Sequence, residues 1–453
     1  MTSQRARPPL VGPPTPVRFP PMTREELSSG LGVWFLPWQA VPVVAVALLL
    51  EVGAAQDPPG VPGLAALTAD LVDEGAGGRD TMQLADAFAQ LGTHLEIDVG
   101  QDMASLSFTT LARNLDPALA LLADVVIRPH LAEPDFRRIR DLRLSRLRQL
   151  MASASAAADR AFLAGVFGSH PYGHGTLGTT RALEGIGLDQ VRQFHAGMFA
   201  PRGATLIVAG ALESRAAAEA ARAHFARWSG VDGLGPPPIV AGPPPAVPRL
   251  LLVDRPGAPQ SELRVGHLGP ARQSPDYHAL VTLNAALGGQ FTSRINQRLR
   301  ESKGYTYGAR TNVDFRRAGS TFACNTSVQS DATANAIEDI LADFEAVRAG
   351  RPIEGEELAR AQSSLTRGYV RHFETPGHLV RAAAELARFG LPDDTFNRFV
   401  PAVEAVTGAG VLDAARRWVR PGACVAAVVG DAERCRSDLA RLGRDIVDTV
   451  PEF

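Results

Sequence analysis

The pattern of hydrophobic and polar residues predicts a chain that mixes strands with helices. Residues 43–50 are apolar without interruption, over a length that suits a buried strand. Residues 104–108 and 320–324 are typical of half-buried strands. Residues 114–126 and 334–347 instead have the apolar spacing of helices. Because both kinds of element occur in each half of the chain, the sequence predicts an α+β fold.

The two halves of the chain resemble each other in sequence. Residues 200–210, APRGATLIVAG, have a counterpart about 220 residues later in residues 420–430, RPGACVAAVVG. Each copy predicts a strand that ends in glycine and precedes a helix. At nearly the same offset, residues 134–138 and 355–359 both open long predicted helices. Matched landmarks in the same order indicate an internal duplication.

A stretch rich in proline and glycine separates the two halves. Residues 230–249 read GVDGLGPPPIVAGPPPAVPR, which suits a semi-rigid linker better than a helix or a central strand. We therefore expect an N-terminal extension (1–31), a first lobe (32–229), the linker and a second lobe (250–453). Each lobe is expected to form a mostly antiparallel sheet with helices on one face. The lobes would face each other, and a cleft between lobes is a usual place for a binding site.

Charge and hydrophobicity argue against two classes of function. The 453 residues include 46 basic and 48 acidic side chains, and this net charge of -2 gives no basic surface for nucleic acid. The apolar run at 43–50 is too short to span a bilayer, so no membrane span is expected. Residues 2–22 lack the apolar core of a secretory signal.

The cysteines and histidines form no pattern typical of a site. Cys324, Cys424 and Cys435 are too few for a disulfide framework, and a bridge between the last two is not expected, although the sequence leaves it open. His170 and His174 flank a Pro-Tyr-Gly turn, which favours a packed loop over a metal site. Neither a GxSxG elbow nor a P-loop pattern occurs, so no serine nucleophile of that type and no nucleotide site is predicted.

The segment 288–308, GGQFTSRINQRLRESKGYTYG, is the most distinctive in the chain. Its glycine pair, Gly288 and Gly289, opens a predicted helix that carries four basic residues. Gly304 ends this helix in the usual position after the last turn, and a strand is predicted to begin near Tyr305. Taken alone, such a segment is typical of a surface helix whose arginines are solvated.

This segment resembles the second-half signature of the pitrilysin-like zinc peptidases, the inverzincin family that includes mitochondrial processing peptidase and insulin-degrading enzyme. The resemblance lies in the order SR, LRE, G and Y after a glycine pair. It extends over about residues 32–447 and includes the QDPPG turn at 56–60 and the HPYG loop at 170–173. It implies the two-lobed fold of the processing peptidases.

The resemblance also implies roles for Arg300 and Tyr307, which match an arginine and a tyrosine seven positions apart in the family. There the pair reaches across the chamber to the substrate near the metal. A guanidinium and a phenol are hydrogen-bond donors suited to holding a peptide carbonyl and to stabilising negative charge on its oxygen. Gly288 and Gly289 would let the backbone approach the substrate or the partner closely.

The zinc motif of the family is absent at the matching position. Where active members place HxxEH after Gly-Leu-Ala, residues 63–70 read GLAALTAD. Ala66 and Asp70 stand at the metal-ligand positions and Ala69 at the general base, and alanine can serve neither purpose. The third family ligand is a glutamate on a later helix, yet residues 142–149 supply only arginine, leucine and uncharged polar residues. We therefore expect no metal in this chain.

Together these features favour the non-zinc subunit of a heterodimeric metallopeptidase. The expected partner is a homologous subunit that bears HxxEH and supplies zinc and the general base, while this chain contributes Arg300 and Tyr307. The complex would be a zinc metalloendopeptidase that acts on peptides or unfolded proteins, and this chain alone would be inactive.

Alternatives and open points remain at this stage. A catalytically inactive structural or peptide-binding scaffold is the second hypothesis, and an independent peptidase with another metal site is disfavoured because no suitable ligand cluster occurs. The sequence leaves open the substrate, the cleavage specificity, the identity of the partner and the stoichiometry. The compartment is also open, with the periplasm slightly preferred because bacterial enzymes of this kind include periplasmic ones.

Overall fold

The chain folds into two lobes, each built on a six-stranded mixed sheet with helices packed against it. A computed structural model describes residues 16–230 and 248–453. Four of the five strand pairings in the first sheet and three of the five in the second are antiparallel. The predicted α+β fold with two lobes is therefore confirmed.

In the described residues the first lobe contains six strands and eight α-helices. Its sheet has the order β1-β2-β6-β3-β5-β4. The strands are β1 (Thr23–Glu26), β2 (Gly32–Pro37), β3 (Val43–Leu50), β4 (Glu96–Val99), β5 (Ala104–Leu111) and β6 (Ala204–Gly210). The helices are α1 (Leu64–Ala69), α2 (Thr81–Gln90), α3 (Leu115–Ile127), α4 (Glu133–Met151), α5 (Ala154–Phe167), α6 (Thr180–Gly185), α7 (Leu188–Met198) and α8 (Ser214–Phe225).

The second lobe repeats this plan with the sheet order β12-β7-β11-β8-β10-β9. The strands are β7 (Leu250–Asp254), β8 (Gln260–Gly269), β9 (Ala309–Arg316), β10 (Gly319–Gln329), β11 (Val425–Gly430) and β12 (Ile446–Asp448). The helices are α9 (Tyr277–Asn284), α10 (Arg294–Asn296), α11 (Thr333–Glu345), α12 (Gly355–Thr366), α13 (Pro376–Phe389), α14 (Thr395–Glu404), α15 (Gly408–Trp418) and α16 (Ala432–Ala440). Helix α10 continues through Gln297–Ser302 with wider, π-type turns.

The landmarks of the predicted duplication occupy equivalent places in the two lobes. Strands β6 and β11 each lie inside their sheet and end in a glycine, and each is followed by a helix, α8 or α16. The predicted strand at 43–50 is β3, which is buried along nearly its whole length because helices cover both faces of the sheet.

The two lobes exchange helices. Helix α5 of the first lobe packs on the second sheet, where Phe162 and Val166 meet Leu251 and Val425. In the same way, α13 of the second lobe packs on β3 and β6 of the first sheet. Helices of a lobe's own therefore cover one face of its sheet, as predicted, and the other lobe covers the second face. The exchange makes the two lobes one interlocked body.

A buried polar cluster also joins the lobes. The carboxylate of Asp102, which is fully buried in the first lobe, accepts hydrogen bonds from the Tyr172 hydroxyl, from the Arg388 guanidinium at 3.0 Å and from the Arg317 backbone N–H at 3.2 Å. The Tyr172 hydroxyl in turn accepts the Ala318 backbone N–H at 3.2 Å. The HPYG loop is thus a packed loop, as the sequence indicated, and it anchors the second lobe.

Several predictions about the ends and boundaries of the chain fall at the edge of what the structure describes. The predicted linker at 230–249 lies outside the described residues except at its ends. Strand β1 comes from the stretch assigned to the N-terminal extension and pairs with β2.

All three cysteines are free and buried. Within the described ranges no single helix is long and apolar enough to cross a membrane, although α4 and α5 taken together, with a bend of 97° between them, have the length and composition to do so.

Candidate functional site

The degenerate zinc motif lies on the short helix α1. Gly63 precedes this helix with a φ of +99°, and a Cβ there would lie 2.8 Å from the Cα of Gly178, so the close approach of two backbones requires glycine. Ala66 and Ala69 are buried, whereas Asp70 at the end of the helix keeps nearly half of its side chain exposed. The structure thus brings the three predicted positions together on one turn, but only Asp70 offers a polar side chain.

A buried arginine faces this turn. Arg143 of α4 is only 4% exposed, donates a hydrogen bond of 2.9 Å to the Ala66 carbonyl oxygen and forms an ion pair with Asp70. Its Nε and Nη1 atoms form no hydrogen bond with the described residues. The guanidinium therefore lies against both positions that match the family's metal-ligating histidines.

Sequence reasoning missed this arginine, although a signal was present. Phe136, Ile139, Arg143 and Leu147 are the buried residues of α4 and follow one another at helical spacing. A charged residue on the apolar stripe of a helix needs a buried partner, because an isolated charge in a protein interior is costly. The spacing alone could have marked Arg143 as different from the exposed arginines around it.

A second buried charge holds the beginning of α1. Asp57, from the QDPPG turn, accepts hydrogen bonds from the backbone N–H groups of Gly63 at 2.6 Å and Ala65 at 2.7 Å. Burial raises the pKa of the Asp57 carboxyl to about 7, although these hydrogen bonds and the positive charge of Arg143 oppose the rise. Arg143 is therefore paired directly with Asp70, and Asp57 adds a second negative charge nearby when it ionises.

These residues do not fit a zinc ion. Zinc requires three or four nitrogen, sulfur or oxygen ligands, whereas Ala66 has none and Asp70 is engaged by Arg143. A guanidinium at this place also repels a dication. In the parts of the chain that the structure describes, no three His, Cys, Asp or Glu side chains gather as a metal site would need. Ala69 has no group that accepts a proton, so it cannot act as a general base.

The predicted glycine pair lies at the end of α9, in a turn with wide helical spacing. A Cβ on Gly288 would lie 2.4 Å from the Thr311 side chain and 2.6 Å from its backbone nitrogen, so this glycine lets the turn pack against the edge of β9. A Cβ on Gly289 would lie 3.0 Å from the Asn284 carbonyl oxygen. Gly288 therefore has a packing role, and contact of either glycine with substrate stays a prediction.

The arginines of the following helix divide into two groups. Arg294 is buried and forms an ion pair with Glu357, and Arg298 forms ion pairs with Asp339 and Asp343. These two side chains tie the helix to the second lobe. Arg300 differs from both, because its ion pair, at 3.7 Å, is with the adjacent Glu301 and it donates no hydrogen bond to a described residue.

The guanidinium of Arg300 instead stacks on an aromatic ring. Its central carbon lies 4.0 Å from the centroid of the Phe291 ring, and that ring is 65% exposed. The Nη1 atom of Arg300 is buried yet has no hydrogen-bond partner among the described residues. Phe291 was not singled out in the sequence analysis, although its place between the glycine pair and the predicted helix was visible there. The stacking holds the guanidinium without using its donors.

The segment that carries Tyr307 corrects the predicted start of the strand. Strand β9 begins at Ala309 and not near Tyr305. The Thr306 hydroxyl and the backbone of Gly308 bond to each other, which makes a turn instead of an extended strand. The Asn296 side chain then clamps the backbone N–H and C=O of Ala309 at 2.9 and 2.8 Å.

This turn presents Tyr307 to solvent. The Tyr305 backbone N–H donates to the Leu299 carbonyl oxygen at 2.9 Å, so the segment is held at both ends. Between the two anchors Tyr307 is 93% exposed. Arg300 and Tyr307 therefore lie on the same surface segment of the second lobe, each with donors that the lobe itself does not use.

Comparison with known proteins identifies the family. Residues 39–180 match the sequence model of the insulinase family, peptidase family M16, and residues 185–365 match that of the peptidase M16 inactive domain. The matches span more than half of the chain, so the chain belongs to peptidase family M16. The resemblance to the pitrilysin-like peptidases is thereby confirmed, and the chain is an M16 member without the family's catalytic zinc site.

Relatives in sequence and in structure agree with this placement. An uncharacterized zinc protease of Mycobacterium leprae is 27% identical over 350 residues, which cover 77% of each chain. One from Mycobacterium tuberculosis is 29% identical over 295 residues, or 64% of this chain and 66% of its own length.

Among solved structures, a peptidase M16 inactive domain from Pseudomonas fluorescens superimposes with a TM-score of 0.84 at 24% identity, over 96% of this chain and 100% of that one. A protease from Helicobacter pylori superimposes with a TM-score of 0.83 at 18% identity, over 90% of this chain and 99% of that one. At these identities the two structures establish the fold alone.

Proposed function

We propose that this chain is the non-zinc subunit of a heterodimeric M16 peptidase. In this proposal it contributes Arg300 and Tyr307 to a zinc site on a partner chain. The observation that carries the proposal is the contrast in available donors. Arg300 has a buried Nη1 without a partner, and Tyr307 is 93% exposed, whereas the turn that matches the zinc motif is filled by Arg143.

The chemistry of the pair suits the bound peptide better than the fold. The buried Nη1 of Arg300 lacks a partner, which costs stability, and a ligand that accepts a hydrogen bond from it would remove this cost. The exposed Tyr307 hydroxyl is free to donate to the same ligand. A guanidinium and a phenolic hydroxyl would donate hydrogen bonds to a substrate carbonyl. These hydrogen bonds would strengthen as negative charge develops on the carbonyl oxygen. Arg300 is already held by the Phe291 ring, so little ordering of its side chain is needed when substrate binds.

The partner in this proposal is a homologous chain that bears HxxEH. That chain would supply zinc, which polarises the carbonyl and activates water, together with the general base. Peptides and unfolded proteins are the proposed substrates. Relatives of this chain are named as uncharacterized zinc proteases, which supports proteolysis as the setting of this chain.

The test is the turnover of the assembled complex with Arg300→Ala or Tyr307→Phe. Each variant should still assemble with the partner and should lose about 100- to 1000-fold in kcat, because that is the usual effect of removing one donor to a developing oxyanion. Arg310→Ala, which removes an exposed arginine from the neighbouring strand, is the control and should keep full activity.

A second function, that of an inactive scaffold subunit, is favoured by the Arg143–Asp70 ion pair, which occupies the position of the zinc motif. A scaffold would have no use for the donors of Arg300 and Tyr307. Full activity of both variants in a working complex would therefore remove the proposed catalytic role and favour the scaffold.

A further inference from the structure

A cavity of about 750 Å³ lies between the two lobes, and neither Arg300 nor Tyr307 lines it. The first lobe contributes one face of its sheet near the edge strand β4, including Leu49 and Ser105. The second lobe contributes residues of α13 and α14 and the aromatic residues Tyr277 and Phe315. Since both lobes form its walls, the cavity exists only because the lobes exchange helices.

Seven of the 22 residues that line the cavity are phenylalanine or tyrosine. Phe315, Phe373 and Phe396 line the cavity, as do the rings of Tyr369 and Phe399, which stack with centroids 4.2 Å apart. Cavities of about 300–1,000 Å³ with apolar walls and a few polar groups are typical small-molecule sites. The walls therefore suit an apolar or aromatic body.

The charged residues of the cavity are mostly paired. Arg272 stacks at 3.4 Å on the Tyr277 ring and donates to Glu385, and Arg388 belongs to the buried Asp102 cluster. Arg381 forms no ion pair with any residue of 16–230 or 248–453, and it projects from the cavity side of α13. An unpaired guanidinium next to aromatic walls favours an anion on the ligand.

Uncharged polar groups of the cavity are also left without partners. The hydroxyls of Tyr277 and Tyr369 form no hydrogen bond with the described part of the chain, and Nδ1 of His378 is buried without a partner there. Asp98 on β4 is exposed and places negative charge on the opposite rim. The groups that attract an anion are therefore at the α13 end of the cavity.

We propose that this cavity binds an amphipathic carboxylate. The apolar or aromatic body would lie among the rings, and the carboxylate would accept hydrogen bonds from Arg381 and from a tyrosine hydroxyl. This chemistry occurs both in a free fatty acid and at the C-terminus of a peptide that ends in an aromatic residue. The proposal does not depend on the peptidase role, because it uses neither Arg300 nor Tyr307.

Calorimetric titration of the full chain tests the proposal with three probes. These are acetyl-Phe-Phe with a free carboxylate, the same peptide as its C-terminal amide, and dodecanoate. The free peptide acid or dodecanoate should bind, and whichever binds more tightly identifies the source of the carboxylate. The amide should bind at least about tenfold more weakly than the acid, because a charge-assisted hydrogen bond is lost.

Two variants locate the site. Arg381→Met should weaken binding of the carboxylate about tenfold or more and leave binding of the amide unchanged. Ala384→Trp should abolish binding by filling the cavity, since Ala384 lines its wall. Arg371→Met, which removes an exposed arginine outside the cavity, is the matched control and should bind as the wild type does.

The outcomes that overturn the proposal are equally definite. Absence of binding by all three probes at millimolar concentration would contradict it, as would an amide that binds as tightly as the acid. Unchanged binding by Ala384→Trp would place the ligand elsewhere. Should that variant fail to fold by circular dichroism, the comparison of Arg381→Met with Arg371→Met decides the matter.

Discussion

The turn at the end of α1 and the surface around Arg300 each contain an arginine at a position of interest for catalysis. The two arginines differ in whether their guanidinium groups are bound by other residues of the chain. Arg143 is 4% exposed, and its charge is paired with Asp70 of the same lobe. Arg300 is 31% exposed, rests on a ring and donates to no described residue. Arg143 is therefore held by residues of its own lobe, whereas Arg300 has hydrogen-bond donors that a ligand could use.

This difference teaches how a site can be lost without loss of the fold. A buried turn that loses its ligands would leave polar backbone and charge without partners, which is costly. One arginine from α4 supplies both a donor to the Ala66 carbonyl and a counter-charge to Asp70. The turn therefore stays packed, while the other lobe keeps donors that contribute nothing to its own stability.

The largest change in stability should come from breaking the ion pair between Arg143 and Asp70. Arg143→Met keeps the apolar stem but removes the charge, and we expect it to lower the free energy of unfolding by about 3 kcal/mol. This is the low end of the range for breaking a buried ion pair, because Asp70 is partly solvated. Urea unfolding followed by circular dichroism measures the loss.

The matched control is Arg146→Met, which removes an exposed arginine from the same helix. We expect its free energy of unfolding to stay within about 0.5 kcal/mol of the wild type, as is usual for surface substitutions. Equal losses for the two variants would mean that Arg143 is not the counter-charge of this turn.

The free energy of unfolding should also depend on pH, because two carboxyl groups near this turn have raised pKa values. Burial raises the pKa of Asp57 to about 7 and that of Asp73 to about 6, so the folded chain holds protons that the unfolded chain releases. This contribution to stability is fully present below about pH 4 and is lost as the pH rises through about 7. Between pH 5 and pH 7 we expect a fall of about 2 kcal/mol from Asp57 and a further fall of about 1 kcal/mol from Asp73.

Unfolding by urea at pH 5, 6 and 7 measures this slope. Asp57→Ala removes one of the two titrating groups and should leave only the shallower slope that Asp73 produces, whatever the loss of stability at any single pH. Arg143→Met should make it steeper, because ionised Asp57 then lacks a neighbouring positive charge. A slope that neither substitution changes would show that the charges of this turn do not act together.

A smaller change in stability is expected from the buried Asp102 cluster, which joins the two lobes. Tyr172→Phe removes the hydroxyl that donates to Asp102 and leaves the Ala318 N–H without its acceptor. We expect a loss of about 1.5 kcal/mol in the free energy of unfolding, as for a hydrogen bond to a charged group. Tyr307→Phe, at an exposed hydroxyl, is the control and should leave stability unchanged. A similar loss in both would contradict the distinction between buried and available hydroxyls.

The smallest effect concerns the ring beneath Arg300. Phe291→Ala removes the stacking, worth about 0.5–1 kcal/mol at an exposed site, and should lower the kcat of the complex about two- to fivefold. Phe291→Trp should restore it, whereas Phe291→Leu, which is apolar but has no aromatic face, should not. Turnover that follows side-chain size and not aromaticity would mean that the ring contacts substrate instead of Arg300.

Much of the fold followed from local pattern. The apolar run that became β3 and the repeated strand and helix pairs were visible because periodicity and duplication are properties of neighbouring residues. The substitutions at Ala66, Ala69 and Asp70 were equally visible, because the resemblance supplied a motif to compare with.

What could not be predicted depends on contacts between distant segments. Arg143 meets Asp70 across 73 residues of sequence, and α5 and α13 each cover the sheet of the other lobe. The strand predicted near Tyr305 began later because side chains of Thr306 and Asn296 compete with the backbone for hydrogen bonds. No local pattern contains this information.

The most direct measurement is cleavage of an unfolded peptide by the purified chain alone and after mixing with an HxxEH-bearing homologue, with zinc quantified in each sample. We predict that activity and stoichiometric zinc appear only in the mixture and that Arg300→Ala abolishes most of the activity without releasing zinc. Cleavage or stoichiometric zinc with this chain alone would contradict a divided active site, and a mixture that binds zinc but cleaves equally well with Arg300→Ala would contradict the role of the open surface.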